Sequence, residues 1–121
     1  MVSVAEPVAP SVYHYVAAFQ SIEDQLTDGQ RAMLRAHYHA PGRTLTMTEV
    51  AHSVNYRSYR AGNLWYGRLG GLLCDELNWR SPNVAIFVLV TFTPPGETPH
   101  GEWELHLRPE VAEALEQLGW I

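Results

Sequence analysis

Residues 46–70 read "TMTEVAHSVNYRSYRAGNLWYGRLG", and the fold turns on whether this stretch makes two helices with a tight joint. Thr46 followed by Glu49 fits a capping box, in which the threonine hydroxyl and the glutamate carboxylate each satisfy an amide at the helix start. Val50, Ala51 and Val54 give that short helix one apolar face. Asn55 stands four residues after Ala51, whose small side chain lets a second helix pass close by. The residue at that point must adopt a left-handed turn conformation, which asparagine tolerates best after glycine. Tyr56 falls in the turn, and a second helix from about Ser58 would bury Ala61, Leu64, Trp65, Leu69, Leu72 and Leu73. The spacing predicts a helix-turn-helix.

The face left open on the second helix would carry Tyr59, Asn63 and Tyr66, with Arg57, Ser58 and Arg60 at its N-terminal end. Those six are the candidate base contacts. The first turns of such a helix enter the major groove, where arginine pairs with guanine and asparagine with adenine. The plain alternative is a pair of core helices with a polar joint, its tyrosines packed inside and its arginines solvated. Gly67, Gly70 and Gly71 stand out, because each glycine inside a helix costs about 1 kcal/mol relative to alanine. Either the helix kinks there or something approaches its backbone closely.

The formal charge of −5 argues against DNA only until its placement is considered. Between Gly29 and Cys74 lie six arginines (Arg31, Arg35, Arg43, Arg57, Arg60 and Arg68) and one acid, Glu49. The other twelve acids lie outside that span with only Arg80 and Arg108. A basic middle is flanked by acidic ends, and screening over roughly 8 Å lets the middle hold phosphates regardless of the total. Arg31, Arg35, Arg43 and Arg68 are the candidate phosphate contacts.

Residues 1–10 hold two prolines and little pattern, and are expected to be a loose arm before a single domain over 11–121. Ser11 is placed to cap a helix that turns Val12, Val16 and Phe19 to one side. Thr27 and Gln30 form a second capping box, opening a helix with Met33, Leu34 and Tyr38 at helical spacing that ends at Pro41-Gly42. Later, "VAIFVLVTF" from Val84 to Phe92 reads as a buried strand, and "EWELHL" (102–107) alternates as a strand with one buried face. "TPPGETPHG" (93–101) would be the turn between them, giving a two-stranded hairpin. Pro109 suits the first position of a closing amphipathic helix that ends near Gly119. The expected fold is therefore α+β: a winged helix-turn-helix with additional N-terminal helices. A wing that grips phosphate normally carries arginine or lysine, whereas this one offers Glu97 and His100.

The runs "LTDGQRAMLRAHYHAPGRTLTMTEVAHSVNYRSYRAGNLWYGRLGGLL" (26–73) and "WELHLRPEVAEALEQLGW" (103–120) resemble a module found N-terminal to the HNH nuclease domain of McrA-type bacterial restriction endonucleases, which cut DNA carrying modified cytosine. The most specific parts are Asn63, Tyr66, Gly67, Arg68, Leu69 and Gly70, and the closing "RPEVAEALEQLGW". The resemblance implies a role on DNA in restriction-modification. It does not carry nuclease activity over, because these residues hold no metal-binding cysteine pair and no His-Asn-His constellation.

Other chemistry is poorly supported. His37 and His39 point apart on a helix and have no third ligand at a sensible spacing, so no metal or other cofactor is expected. Cys74, the single cysteine, lacks a nucleophile signature, and no phosphate loop or serine elbow is present, so no enzyme is expected. The longest apolar run is too short to span a bilayer as a helix, and no signal peptide is recognised, so a cytoplasmic protein is expected. The leading expectation is a small DNA-binding protein of regulatory or restriction-associated type, reading duplex DNA, modified or not, through the helix at about 58–66. A homodimer is compatible with it. The rival is an acidic protein-binding module or inhibitor from a phage or mobile element. It would lay Glu102, Glu104, Glu110, Glu113 and Glu116 against a basic surface of a nucleic-acid enzyme.

Overall fold

A computed structural model describes residues 9–80 and 84–121; residues 1–8 of the arm expected over 1–10 lie outside the described residues. The described residues form an α+β fold, with five α-helices and a three-stranded antiparallel sheet. Helices α1 (Val12–Ile22) and α2 (Asp28–His39) lead into strand β1 (Thr44–Thr46), then α3 (Met47–Ser53) and α4 (Tyr59–Leu77). Strands β2 (Val90–Thr93) and β3 (Glu104–Leu107) follow, and α5 (Pro109–Leu118) closes the chain.

Local chemistry sets the helix starts. Ser11 accepts the His14 amide, and Thr27–Gln30 and Thr46–Glu49 both form complete capping boxes. Asn55 takes the left-handed conformation at φ 65°, and the Tyr56 amide closes the turn on the carbonyl of Ala51. Helix α4 ends at Asn78 and α5 at Gly119, both also left-handed.

The sheet corrects the expected two-stranded hairpin. Its order is β1-β3-β2, with Leu45 opposite Leu105 and Phe92 opposite Leu105 on the other side. Strand β1 was hidden because Thr46 ends it and caps α3 at once, leaving no alternating run to recognise. The strand expected over Val84–Phe92 is also shorter: Ala85–Val88 form a 3-10 turn. Its carbonyls find side-chain partners in place of a ladder. Tyr15 Oη donates to Val88 at 2.6 Å, Arg108 Nε to Phe87 at 2.7 Å, and Cys74 Sγ reaches Ala85 at 3.6 Å.

Helix α4 runs unbroken through its glycines but is rotated from the expected packing face. Gly62, Tyr66, Leu69, Gly70 and Leu73 are buried, whereas Leu64 is 48 % exposed. The cause is close helix and loop packing. A Cβ at Gly62 would stand 3.1 Å from the Ala51 Cβ, and one at Gly70 only 2.9 Å from the Ala85 carbonyl oxygen. On α1 the packing face centres on Tyr15, Ala18, Phe19 and Ile22, with Val12 and Val16 at its margin. These residues join Met33, Leu34, Val50, Leu105, Val111 and Leu115 in one core.

Candidate nucleic-acid interface

The N-terminal end of α4 is exposed and chemically open. Ser58 is the N-cap with extended backbone, yet its side chain makes no capping bond, and no acid stands in the first turn. The first amides of a helix lack intrahelical partners and carry the positive end of the dipole, so this end is suited to an anion. Arg57, Ser58, Tyr59, Arg60 and Asn63 are all exposed around it. Among the described residues neither Arg57 nor Arg60 has an ion-pair partner.

Tyr66 does not belong with them. It is fully buried, and its hydroxyl lies 2.8 Å from His37 Nδ1, so it has no route to a base. His37 in turn uses Nε2 on the carbonyl of Leu105 at 2.8 Å. Because a carbonyl only accepts, Nε2 carries the proton, and Nδ1 accepts from the tyrosine. Burial lowers the His37 pKa to about 4, against the opposing pull of the Leu105 carbonyl. Burial raises the Tyr66 phenol well above its ordinary value.

The phosphate candidates are scattered. Arg31 stacks over Trp120 at 4.5 Å, beside the end of α5. Arg43 lies 4.5 Å from the Tyr38 ring and 3.7 Å from the Glu116 carboxylate, again toward α5. Arg68 lies over Trp65 at 4.8 Å on α4 itself, and Arg35 is exposed on α2. Only Arg68 shares the element of the candidate base contacts. By helical spacing Arg60, Leu64 and Arg68 form one stripe on α4, and Tyr59, Asn63 and Gly67 form the neighbouring one.

That second stripe faces a groove the sequence did not announce. It is an open cavity of about 980 Å³, with Met47 and Thr48 at the start of α3 and Tyr59, Asn63 and Gly67 along α4. The far wall holds Phe87, Phe92 and Trp103, stacked edge to face with ring centroids 4.9 and 5.7 Å apart. The β2–β3 turn closes one end and is pinned to α3 by the Thr48 hydroxyl, which donates to Glu102 at 2.8 Å. Within the turn, Thr98 Oγ1 donates to the Glu102 carbonyl, and His100 Nδ1 accepts the Glu102 amide. The other His100 nitrogen reaches Glu104 at 3.1 Å. Glu102 and Glu104 therefore have partners inside the protein, while Glu97 is exposed, and no cation lines the groove among the described residues.

Gly67 stands on the α4 wall of the groove. Gly62 and Gly70 are explained by close packing, but a Cβ at Gly67 would meet nothing within 4 Å. No group of His, Cys, Asp and Glu among the described residues is arranged to hold a metal ion, and no helix among them is long and apolar enough to cross a membrane. The chain matches no protein-family model, no curated protein and no solved structure.

Proposed function

We propose that this protein binds duplex DNA as a winged helix, with α3 and α4 as the helix-turn-helix and the β2–β3 hairpin as the wing. The observation that carries the reading is the open N-terminus of α4, uncapped by Ser58 and free of acids, with Arg57 and Arg60 exposed beside it. Arg57, Ser58, Tyr59, Arg60 and Asn63 would meet base edges and the nearest phosphates. Arg68 and Arg35 would add phosphate contacts; Arg31 and Arg43, held toward α5, would add little. The resemblance to the DNA-associated module of McrA-type endonucleases points the same way. The hairpin, which offers no arginine or lysine, would stand clear of the phosphates.

The test is fluorescence anisotropy on mixed-sequence duplexes, methylated and unmethylated at cytosine, titrated with salt from about 50 mM. Salt-dependent binding lost in Arg57→Ala and Arg60→Ala supports the proposal. No binding to either duplex at the lowest salt defeats it.

A protein-binding reading has its own observation, the apolar groove beside α4. The acidic surface first considered for it is dispersed. Glu102 is held by Thr48, Glu104 by His100 and Glu116 by Arg43, while Glu113 is exposed on α5.

A further inference from the structure

We infer that the groove between α4 and the β2–β3 hairpin is a docking site for a partner polypeptide that inserts an arginine or lysine side chain flanked by apolar ones. Three features converge on that occupant. First, exposed Tyr59 and Trp103 stand at the groove with the Phe87–Phe92–Trp103 stack along its wall. Large half-exposed aromatics are what protein interfaces use as anchors, and their ring faces attract cations. Second, among the described residues the groove's only carboxylate is Glu102, and no arginine, lysine or histidine lines it. Thr48 occupies one Glu102 oxygen; the other has no partner among the described residues. The charge complement is a cation, and a phosphate would be repelled. Third, Gly67 leaves the α4 side of the groove bare, at a cost to the helix that no internal contact returns. A bare helix surface lets a partner's backbone come close.

This inference shares Tyr59 and Asn63 with the DNA reading, whose arginines Arg57, Arg60 and Arg68 do not line the groove. The cationic stripe of Arg60 and Arg68 adjoins the groove stripe of Tyr59, Asn63 and Gly67 but does not line the groove. The two sites would therefore adjoin on one helix and overlap at Tyr59 and Asn63, with different ligands.

The experiment is selection of random dodecapeptides displayed on phage against the full chain, with Gly67→Leu as the counter-target. A Cβ at this position meets nothing within 4 Å and leucine is a better helix former than glycine, so the variant is expected to fold with its side chain projecting into the groove. The expected result is enrichment of peptides with arginine or lysine next to leucine, phenylalanine or tryptophan, absent on Gly67→Leu. Synthetic versions of the enriched peptides should quench Trp103 fluorescence. Their affinity should fall roughly tenfold in Trp103→Ala and severalfold in Glu102→Gln. No enrichment over the counter-target overturns the inference, and so does enrichment of acidic or purely apolar peptides. If Gly67→Leu instead abolishes duplex binding, the groove belongs to the DNA interface and the inference also falls. Duplex binding of Arg57→Ala and Arg60→Ala is measured separately, so either reading can fail alone.

Discussion

The Tyr66 hydroxyl donates to His37 Nδ1 at 2.8 Å, joining α4 to α2 in a region from which water is excluded. The opposite nitrogen of His37 donates to Leu105 on the central strand, so one imidazole ties two helices to the sheet. Each polar group of the Tyr66–His37–Leu105 relay is satisfied, which is the condition for burying it without a large penalty. The arrangement works only with a neutral imidazole, because a proton on Nδ1 would face a donor it can no longer accept from.

Acid should therefore destabilise the fold through His37. Its folded pKa is about 4 and its ordinary value 6.5, so between those values the unfolded chain binds the proton and the folded chain does not. Stability is unaffected by this group above pH about 6.5, falls as pH drops below it, and levels off below about 4. The full loss is about 3 kcal/mol on one-site linkage. Urea unfolding at a series of pH values checks this. His37→Gln, which keeps a donor and an acceptor but does not titrate, should flatten the curve in that window. An unchanged slope in that variant would exclude His37 as the cause.

Removing the tyrosine hydroxyl separates structure from recognition. Tyr66→Phe leaves His37 Nδ1 buried without a donor, which should cost about 1–3 kcal/mol of stability. Because Tyr66 has no exposed surface, duplex binding by the folded variant should stay within twofold of the parent. Chemical denaturation and anisotropy together test it; a selective loss of binding would return Tyr66 to the interface.

The glycines of α4 should respond in opposite directions. Gly70→Ala would push a Cβ to within 2.9 Å of the Ala85 carbonyl oxygen, against backbone that cannot move aside cheaply. A loss of about 1–3 kcal/mol is expected for such overpacking. Gly71→Ala meets nothing within 4 Å and should gain a few tenths to about 1 kcal/mol from helix propensity. Thermal melts of the two variants side by side decide the matter.

What could be read in advance was what the chain decides locally. The two capping boxes and the left-handed Asn55 depend on residues three or four apart, and each stands where its spacing put it. The rotation of α4 escaped because glycine carries no hydrophobicity. Gly62 and Gly70 mark the closest packing, yet a search for apolar side chains passes over them and chooses Leu64 instead. Tyr66 was misplaced because its partners are distant: His37 lies 29 residues away in sequence, and the Leu105 carbonyl lies 68 from His37. The groove is assembled from α3, α4, the 3-10 turn and the hairpin, and no single segment announces it. Arg43, expected at phosphates, sits against Tyr38 and Glu116 because the backbone at Gly42 and Arg43 is left-handed and turns it toward α5.

Arg43 and Arg60 therefore make a sharp contrast for the DNA reading. Arg43→Ala should lose a surface ion pair and a ring contact, about 0.5–1 kcal/mol of stability, with little change in duplex affinity. Arg60→Ala breaks no ion pair among the described residues, so its melting temperature should hold while duplex affinity falls. If Arg60 meets only phosphate, the salt slope should drop by about one and all sequences should weaken alike. If it meets a base edge, the loss should be about 1–3 kcal/mol on the preferred sequence and small on others. Asn63→Ala, one turn further along α4, should behave as the second case, because an amide has no charge with which to release counterions. The reverse pattern, with Arg43 controlling affinity and Arg60 silent, would move the interface from the start of α4 to the α2–α5 side of the molecule.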